Sequence, residues 1–587
     1  MILIFYLQFF YGYNVLNLII NQKVMRNFFL ASLIYLFAIN TICAQTKKQV
    51  SQLSDLCNVW GSLKYFHPAI AVGKYDWDSV AVSAINKILN SDDQFNFENE
   101  IDIIMNTAGK NTAEEFIVDQ SMHPYTYRNI NHSWIEKSQN LNKNQKVLLK
   151  YNYSHPFQGK NFYAQNNPDD DGNIITPNEK SYPEMRFPNA NYRLLGLFRF
   201  WNVINYYYPY KYETDQSWDK VLIKLIPEFV KANDILSYNK AVLKMSASID
   251  DGHGGLYPFI DLEVAGKYNP PFFFKLIDGK AVVTKILDES LKQTANIHKG
   301  SVIEKINGIS LKKRAKDLWD FVPAGNTAGK YRDLHKLILN SSETSATYSG
   351  YNSNGEKFSS LVKLRESNFL KEFLELYEMS SPITSKMITN DIAYLYASNI
   401  TYKNMDSIMK PIMNTKAIIL DLRNYPSKMP SYAIANYFLD KPTIYSKQTR
   451  NDFRYPGLLI YENTNKGTTA ETVGKENPNP YKGKLILLVD YRTQSLPEFN
   501  SLILKTYKNT TIIGNQTAGA DGNQTRMIFP GNYKILFSGL GIYHANGDEA
   551  QHVGIPIDIR VKYMISDFIN DKDPILERAI NYAKTEK

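Results

Sequence analysis

Residues 484–505, KLILLVDYRTQSLPEFNSLILK, put a serine where a serine can act as a nucleophile. An apolar run ends at Asp490 and a short loop follows. Pro497 and Glu498 then fall in the first turn of a helix expected to open at Ser495. At such a turn the hydroxyl sits at a helix N-terminus, where backbone N–H groups can hold an oxyanion. The same spacing fits a plain cap, with Ser495 as N-cap and Glu498 as the capping-box acid. The local pattern leaves both readings open. His253, in SASIDDGHGGLY (246–257), is the second residue with chemistry to offer. NNPDDDGNIITPNE (166–179) has the outline of a calcium loop. Asn178 stands where a bidentate Glu belongs, so the stretch reads as a polar loop.

An internal duplication positions the histidine. Trp60, Tyr65, Pro68, Trp77 and Asp78 recur as Trp201, Tyr206, Pro209, Trp218 and Asp219, at an offset of 141 residues. Rare residues at matched spacing mark a repeated unit. Each copy reads as a helix up to the proline, a turn, and an amphipathic helix opening at Trp-Asp. The aromatics read as packing between these helices. The first copy has Thr112 where the second has His253, so the framework is kept twice and the histidine once.

The next segment, 263–370, is β-rich. FFFKLIDGKAVVTKIL alternates like a hairpin around Asp278-Gly279. HKGSVIEKINGISLKK, from His298, resembles the second half of a PDZ domain, a module that binds an extended peptide at a sheet edge. From residue 390 strand-like runs (IAYLYAS, AIILDLR, KLILLVD, TTIIG) alternate with helix-length segments, an α/β pattern.

Ser495-x-x-Glu498 is followed by Thr517-Ala518-Gly519 and by GIPIDI at 554–559, and preceded by AIILDLRNYPS at 417–427. With these motifs the chain resembles the C-terminal processing and tricorn-core serine peptidases, over residues ~190–580. The resemblance implies a crotonase/ClpP-like catalytic domain and a Ser495 nucleophile. The C-terminal processing branch has a lysine base directly after Thr-x-Gly, where this chain has Ala520. The tricorn-like branch takes its base from an Asp-Gly-His context, matched by Asp251-Gly252-His253. A histidine suits the task because its pKa, about 6.5, lets it take and return a proton near neutrality. The third member that orients the imidazole falls at Gln551, with Glu549 nearby. The implied oxyanion donors are the N–H groups of Leu496 and, because Pro426 has none, Ser427. The chain departs from the family pattern at Gln551, at Ser427-Lys428 where glycines are missing, and at Ile557. Those departures support an alternative, a catalytically weak or inactive peptide-binding protein on the same fold. A further alternative is an enzyme with another base, such as Lys505.

The whole chain is consistent with this multidomain α+β plan. Its 587 residues suggest three to four domains of about 150 residues. The expected order is a targeting segment (1–44), a first helical repeat (45–160), a polar linker (161–189), a second helical repeat (190–262), a PDZ-like module (263–370) and a catalytic domain (371–587). Apolar content of 44 % excludes wholesale disorder. Two cysteines exclude a disulfide scaffold or Cys-rich zinc module. A net charge of +9 without a Lys/Arg block excludes a nucleic-acid patch. Met25-Arg26, the apolar FFLASLIYLFAI and TICAQTKK read as a secretory signal cut after Ala44, with Met25 as an alternative start. The expected location is therefore the periplasm or cell envelope. An uncleaved anchor holding the protein near a membrane is the rival reading. The aromatic content of 13 % fits the repeated helical framework and the targeting segment. The expected partner is a peptide or unfolded protein, and the chemistry calls for no cofactor or metal.

Overall fold

The computed structural model describes residues 45–92, 95–118, 125–126, 128–367, 383–426, 428–461 and 470–585. Residues 1–44, where a targeting segment is expected, and Ser427 lie outside the described residues. The described residues from Ser51 onward form one compact unit. Among the described residues no helix is long and apolar enough to cross a membrane.

The two helical copies close in the same way. In the first, helix Lys47–Phe66 ends before Pro68, and helix Trp77–Leu89 follows. Trp60 Nε1 donates to the Trp77 carbonyl (2.8 Å) and Trp77 Nε1 to the Trp60 carbonyl (3.1 Å). In the second, helices Ala190–Tyr207 and Trp218–Lys231 are clasped by the same exchange between Trp201 and Trp218, both at 2.9 Å. A buried indole N–H needs an acceptor, and each tryptophan uses its partner's backbone. Tyr65 packs edge-on against Tyr206 and Tyr207, so the repeated aromatics are core. A buried charge cluster also joins the copies. Lys64 pairs with Glu179 (2.5 Å), and Arg199 pairs with Asp78 and Glu179.

Glu179 comes from the segment read as a polar linker. That segment is not a plain loop, because Gln165–Asn167 and Asp170–Ile175 pair as an antiparallel hairpin. Asn166 Oδ1 accepts from Gly172 N (2.7 Å), with Gly172 at φ 84°. The buried Ile174 anchors the hairpin, and its carbonyl accepts from Thr525 Oγ1. An apolar pair inside a polar stretch decided the outcome. Among the described residues, no three His, Cys, Asp or Glu are grouped to share a metal.

The β-rich segment forms an antiparallel sheet in the order Lys357–Lys363, Ser345–Tyr351, Val302–Ile306, Lys280–Ile286, Phe272–Ile277. Asp278-Gly279 makes the expected two-residue turn, both residues at positive φ (50° and 76°). Phe272–Ile277 ends the path.

The C-terminal sheet runs Ser385–Thr389, Ile392–Tyr396, Ala417–Asp421, Lys484–Val489, Thr510–Gly514, Ile559–Arg560. Its first pair is antiparallel and the rest are parallel. Parallel strands covered on both faces read as continuous apolar runs. Leu420, Leu485 and Leu487 face a core shared with Leu502–Leu504 of helix Leu496–Lys505. Ile419, Ile486 and Leu488 face the opposite side, against Ile575, Ala579 and Ala583 of helix Pro574–Lys584.

One further pairing positions the histidine. Gly255–Tyr257, one residue beyond His253, adds to the hairpin Gln524–Phe529/Tyr533–Ser538, with Leu256 opposite Ile535. The second helical copy thus ends as a strand of a sheet built by the C-terminal segment.

Candidate active site

Strand Lys484–Val489 ends at a locked turn. The buried Asp490 carboxylate accepts from Arg492 N (2.9 Å), its guanidinium (2.8 Å) and the Tyr563 hydroxyl (3.0 Å). On the neighbouring strand Asp421 holds Arg423 in the same way. Ser495 follows with φ 61° and ψ −122°, a conformation disfavoured for a residue with a side chain, costing about 1–3 kcal/mol. Its own N–H pays that cost back in contacts, donating to the Ala520 carbonyl (2.8 Å) and lying 3.2 Å from Glu498 Oε2.

Glu498 does more than cap. Its side chain is buried, and it accepts from Thr517 Oγ1 (2.5 Å), Gly519 N (2.8 Å) and Ala520 N (3.0 Å). One carboxylate therefore pins Ser495 to the 517–520 loop. Burial pushes its pKa up to about 7, against the pull of these hydrogen bonds. Gly519 has φ 64°, and a Cβ there would lie 2.6 Å from the His552 carbonyl oxygen.

The Asp-Gly-His turn packs on this loop. Asp251 Oδ1 accepts from His253 N (2.9 Å). Gly252 donates no side chain, and needs none: a Cβ there would stand 2.7 Å from the Ala520 Cβ. Its carbonyl accepts from Gln494 Nε2 at 2.6 Å. The His253 ring is nearly buried, with Nδ1 2.8 Å from Ser538 Oγ. Burial lowers its pKa, the Asp251 charge works against that, and Arg332 lowers it further. His253 and Gln494 line one cavity of about 250 Å³, with apolar walls that include Leu243, Leu256 and Phe321.

Residues 391–561 match the family model for peptidase family S41. This segment is an S41 peptidase domain. No curated protein sequence matches the chain. Among solved structures, the chain is similar to mature CPAF complexed with lactacystin, at 14 % identity, with TM-score 0.53, covering 67 % of this chain and 98 % of that one. It is also similar to mature CPAF alone, at 14 % identity and TM-score 0.52, covering 67 % and 97 %. At that identity the likeness establishes the fold. The chain therefore carries a serine-type peptidase domain, whose substrates are peptides or proteins.

The S41 domain contains Ser495, Glu498, Glu549 and Gln551, while His253 lies outside the matched span. Gln551 is fully buried beside the histidine turn, but its Nε2 reaches Asp251 Oδ1 (3.1 Å) and not the ring. Glu549 faces away, accepting from Arg128 Nη1 and the Tyr212 hydroxyl, both at 2.8 Å. Leu496 is the first helical residue, with its N–H at the helix N-terminus. Lys505 sits at the opposite end of that helix, 3.6 Å from Asp558. A ten-residue helix is about 15 Å long, which separates Lys505 from Ser495.

Sequence reading missed Ser538, Arg332 and Asn326. Ser538 ends an ordinary strand. Arg332 donates to Gln494 Oε1, and Asn326 Nδ2 donates to the Thr517 (2.9 Å) and His552 (2.8 Å) carbonyls. No local pattern marks these residues. Asp251 was legible as context, and its spacing two residues before His253 is that of an Asx turn.

Proposed function

We propose that the protein is an exported serine endopeptidase that cleaves unfolded proteins or peptides by acyl transfer. The observation that carries this reading is the contact of the Gly252 carbonyl with Gln494 and of Gly252 with Ala520. Gln494 precedes Ser495 in the chain, and the Ala520 carbonyl holds the Ser495 N–H. Ser495 Oγ attacks the scissile carbonyl while its proton passes to His253 Nε2. The Leu496 N–H faces the developing oxyanion, with Ser427 as the second donor. The protonated Nε2 then returns its proton to the leaving amine. Water repeats the cycle on the acyl-enzyme. A crotonase/ClpP-like arrangement of the catalytic sheet, and residence in the periplasm or cell envelope, belong to the same reading.

The β-rich segment is the peptide-binding, PDZ-like module in this reading. Its terminal strand Phe272–Ile277 borders a groove of about 620 Å³, lined also by Lys285, His335 and Arg365. A peptide strand adds to such an edge through backbone hydrogen bonds.

A fluorophosphonate probe tests the mechanism. Wild type should label at Ser495, and Ser495→Ala and His253→Ala should each abolish labelling. Absence of wild-type labelling under all conditions would favour an inactive peptide-binding protein. That second reading rests on the departures at Gln551, at Ser427-Lys428 and at Ile557. Retention of labelling in His253→Ala would point to another base.

A further inference from the structure

The orienting carboxylate of this site is not at position 551. Asp251 is fully buried and accepts from four donors: His253 N (2.9 Å), Ser538 N (2.6 Å), Ser538 Oγ (3.0 Å) and Gln551 Nε2 (3.1 Å). Ser538 Oγ stands between this carboxylate and the imidazole, 2.8 Å from Nδ1. A hydroxyl carries one proton. With that proton directed to Asp251, Ser538 can only accept from His253. Nδ1 must then carry the ring hydrogen, and Nε2 keeps the lone pair a general base requires.

We infer that Ser538 and Asp251 are positioning residues of the catalytic site, forming a His253–Ser538–Asp251 relay that sets the imidazole tautomer and stabilises imidazolium. The inference rests on the peptidase reading above. When Ser495 gives its proton to Nε2, the Nδ1 hydrogen stays in its bond to Ser538. Ser538 keeps its own proton and Asp251 stays ionised, so nothing else changes hands. The relay also accounts for Gln551. A carboxylate there would lie against the buried Asp251, and two buried like charges repel. The amide instead donates to Asp251, while its Oε1 accepts from Asp521 N at 3.4 Å. Asp251 and Gln551 are a matched acceptor and donor.

Steady-state cleavage of a fluorogenic unfolded protein by Ser538→Ala, Ser538→Thr and Gln551→Glu tests this, with melting temperatures to confirm folding. Ser538→Ala is expected to lower kcat about 100-fold with KM little changed, the mark of lost orientation and not of lost binding. Ser538→Thr, which retains the hydroxyl, should recover most of that loss. Gln551→Glu should lower kcat as well. Nitrogen-15 spectra of the labelled imidazole in wild type should show His253 as the Nδ1–H tautomer. A folded Ser538→Ala enzyme with wild-type kcat, a Gln551→Glu enzyme faster than wild type, or an Nε2–H tautomer would each overturn the relay. A wild type that neither labels nor cleaves, yet shows the Nδ1–H tautomer, would instead overturn the peptidase reading and leave the hydrogen-bond relay standing.

Discussion

Gln494 Nε2 donates to the Gly252 carbonyl at 2.6 Å, tying the residue before Ser495 to the residue before His253. One side-chain bond thus couples two turns that are 242 positions apart in the chain. Both turns are backbone-determined, Ser495 by its positive φ and His253 by the Asx turn at Asp251. Their separation therefore depends on the fit between Gly252, Gln494 and Ala520.

Gly252→Ala tests that fit. The added methyl would overlap the Ala520 Cβ at 2.7 Å and push the two turns apart. Since a shift of ~1 Å can cost 100-fold, fluorophosphonate labelling is expected to slow at least tenfold. Gly252→Ala combined with Ala520→Gly should restore much of the rate. Failure of the pair to do better than the single variant would contradict the steric account.

The pH profile follows from the environment of His253. Burial disfavours the imidazolium more than Asp251 restores it, so the ring loses its proton below the ordinary value of about 6.5. The base is the neutral form. Activity should therefore persist at pH ~6.5 and fall as the pH drops further. Asp251→Asn, by removing the charge that favours imidazolium, should move this acid limb lower still. An acid limb of kcat/KM centred well above neutrality would point to a different base.

Glu498→Gln separates the clamp from a simple cap. The carboxylate meets only donors, so an amide nitrogen in place of either oxygen would face N–H or O–H groups directly. Leaving such buried donors unmatched costs about 1–3 kcal/mol each. Both a lower urea midpoint and loss of labelling are expected. An exposed capping glutamate would show only a small stability change.

Arg199→Met probes the joint between the helical copies. The Arg199 and Lys64 side chains are fully buried, and removing Arg199 leaves Asp78 and Glu179 with too little positive charge. Breaking a buried network on one side costs about 3–5 kcal/mol, readable as a shift in the urea unfolding midpoint. An unchanged midpoint would mean the cluster is solvated.

Local chemistry was legible along the chain wherever a residue acts through its own neighbours. The Trp/Tyr/Pro repeat, the Asp278-Gly279 turn, the buried parallel strands and the helix opening after Ser495 all follow from periodicity, turn residues and capping. Each is satisfied within a few residues or within one repeated unit. Tertiary structure decided everything that depends on distant segments meeting. It turned Glu498 from a cap into a clamp on the 517–520 loop, because its two oxygens between them find donors 19 to 22 residues away. It aimed Gln551 at Asp251 and Glu549 at Arg128, though both stand within reach of the expected position in sequence. Ser538 carries no signature at all, since a serine at a strand end becomes informative only when another strand delivers a histidine to it. A sequence states which groups can donate and accept, and long-range strand pairing determines which of them are brought within hydrogen-bond distance.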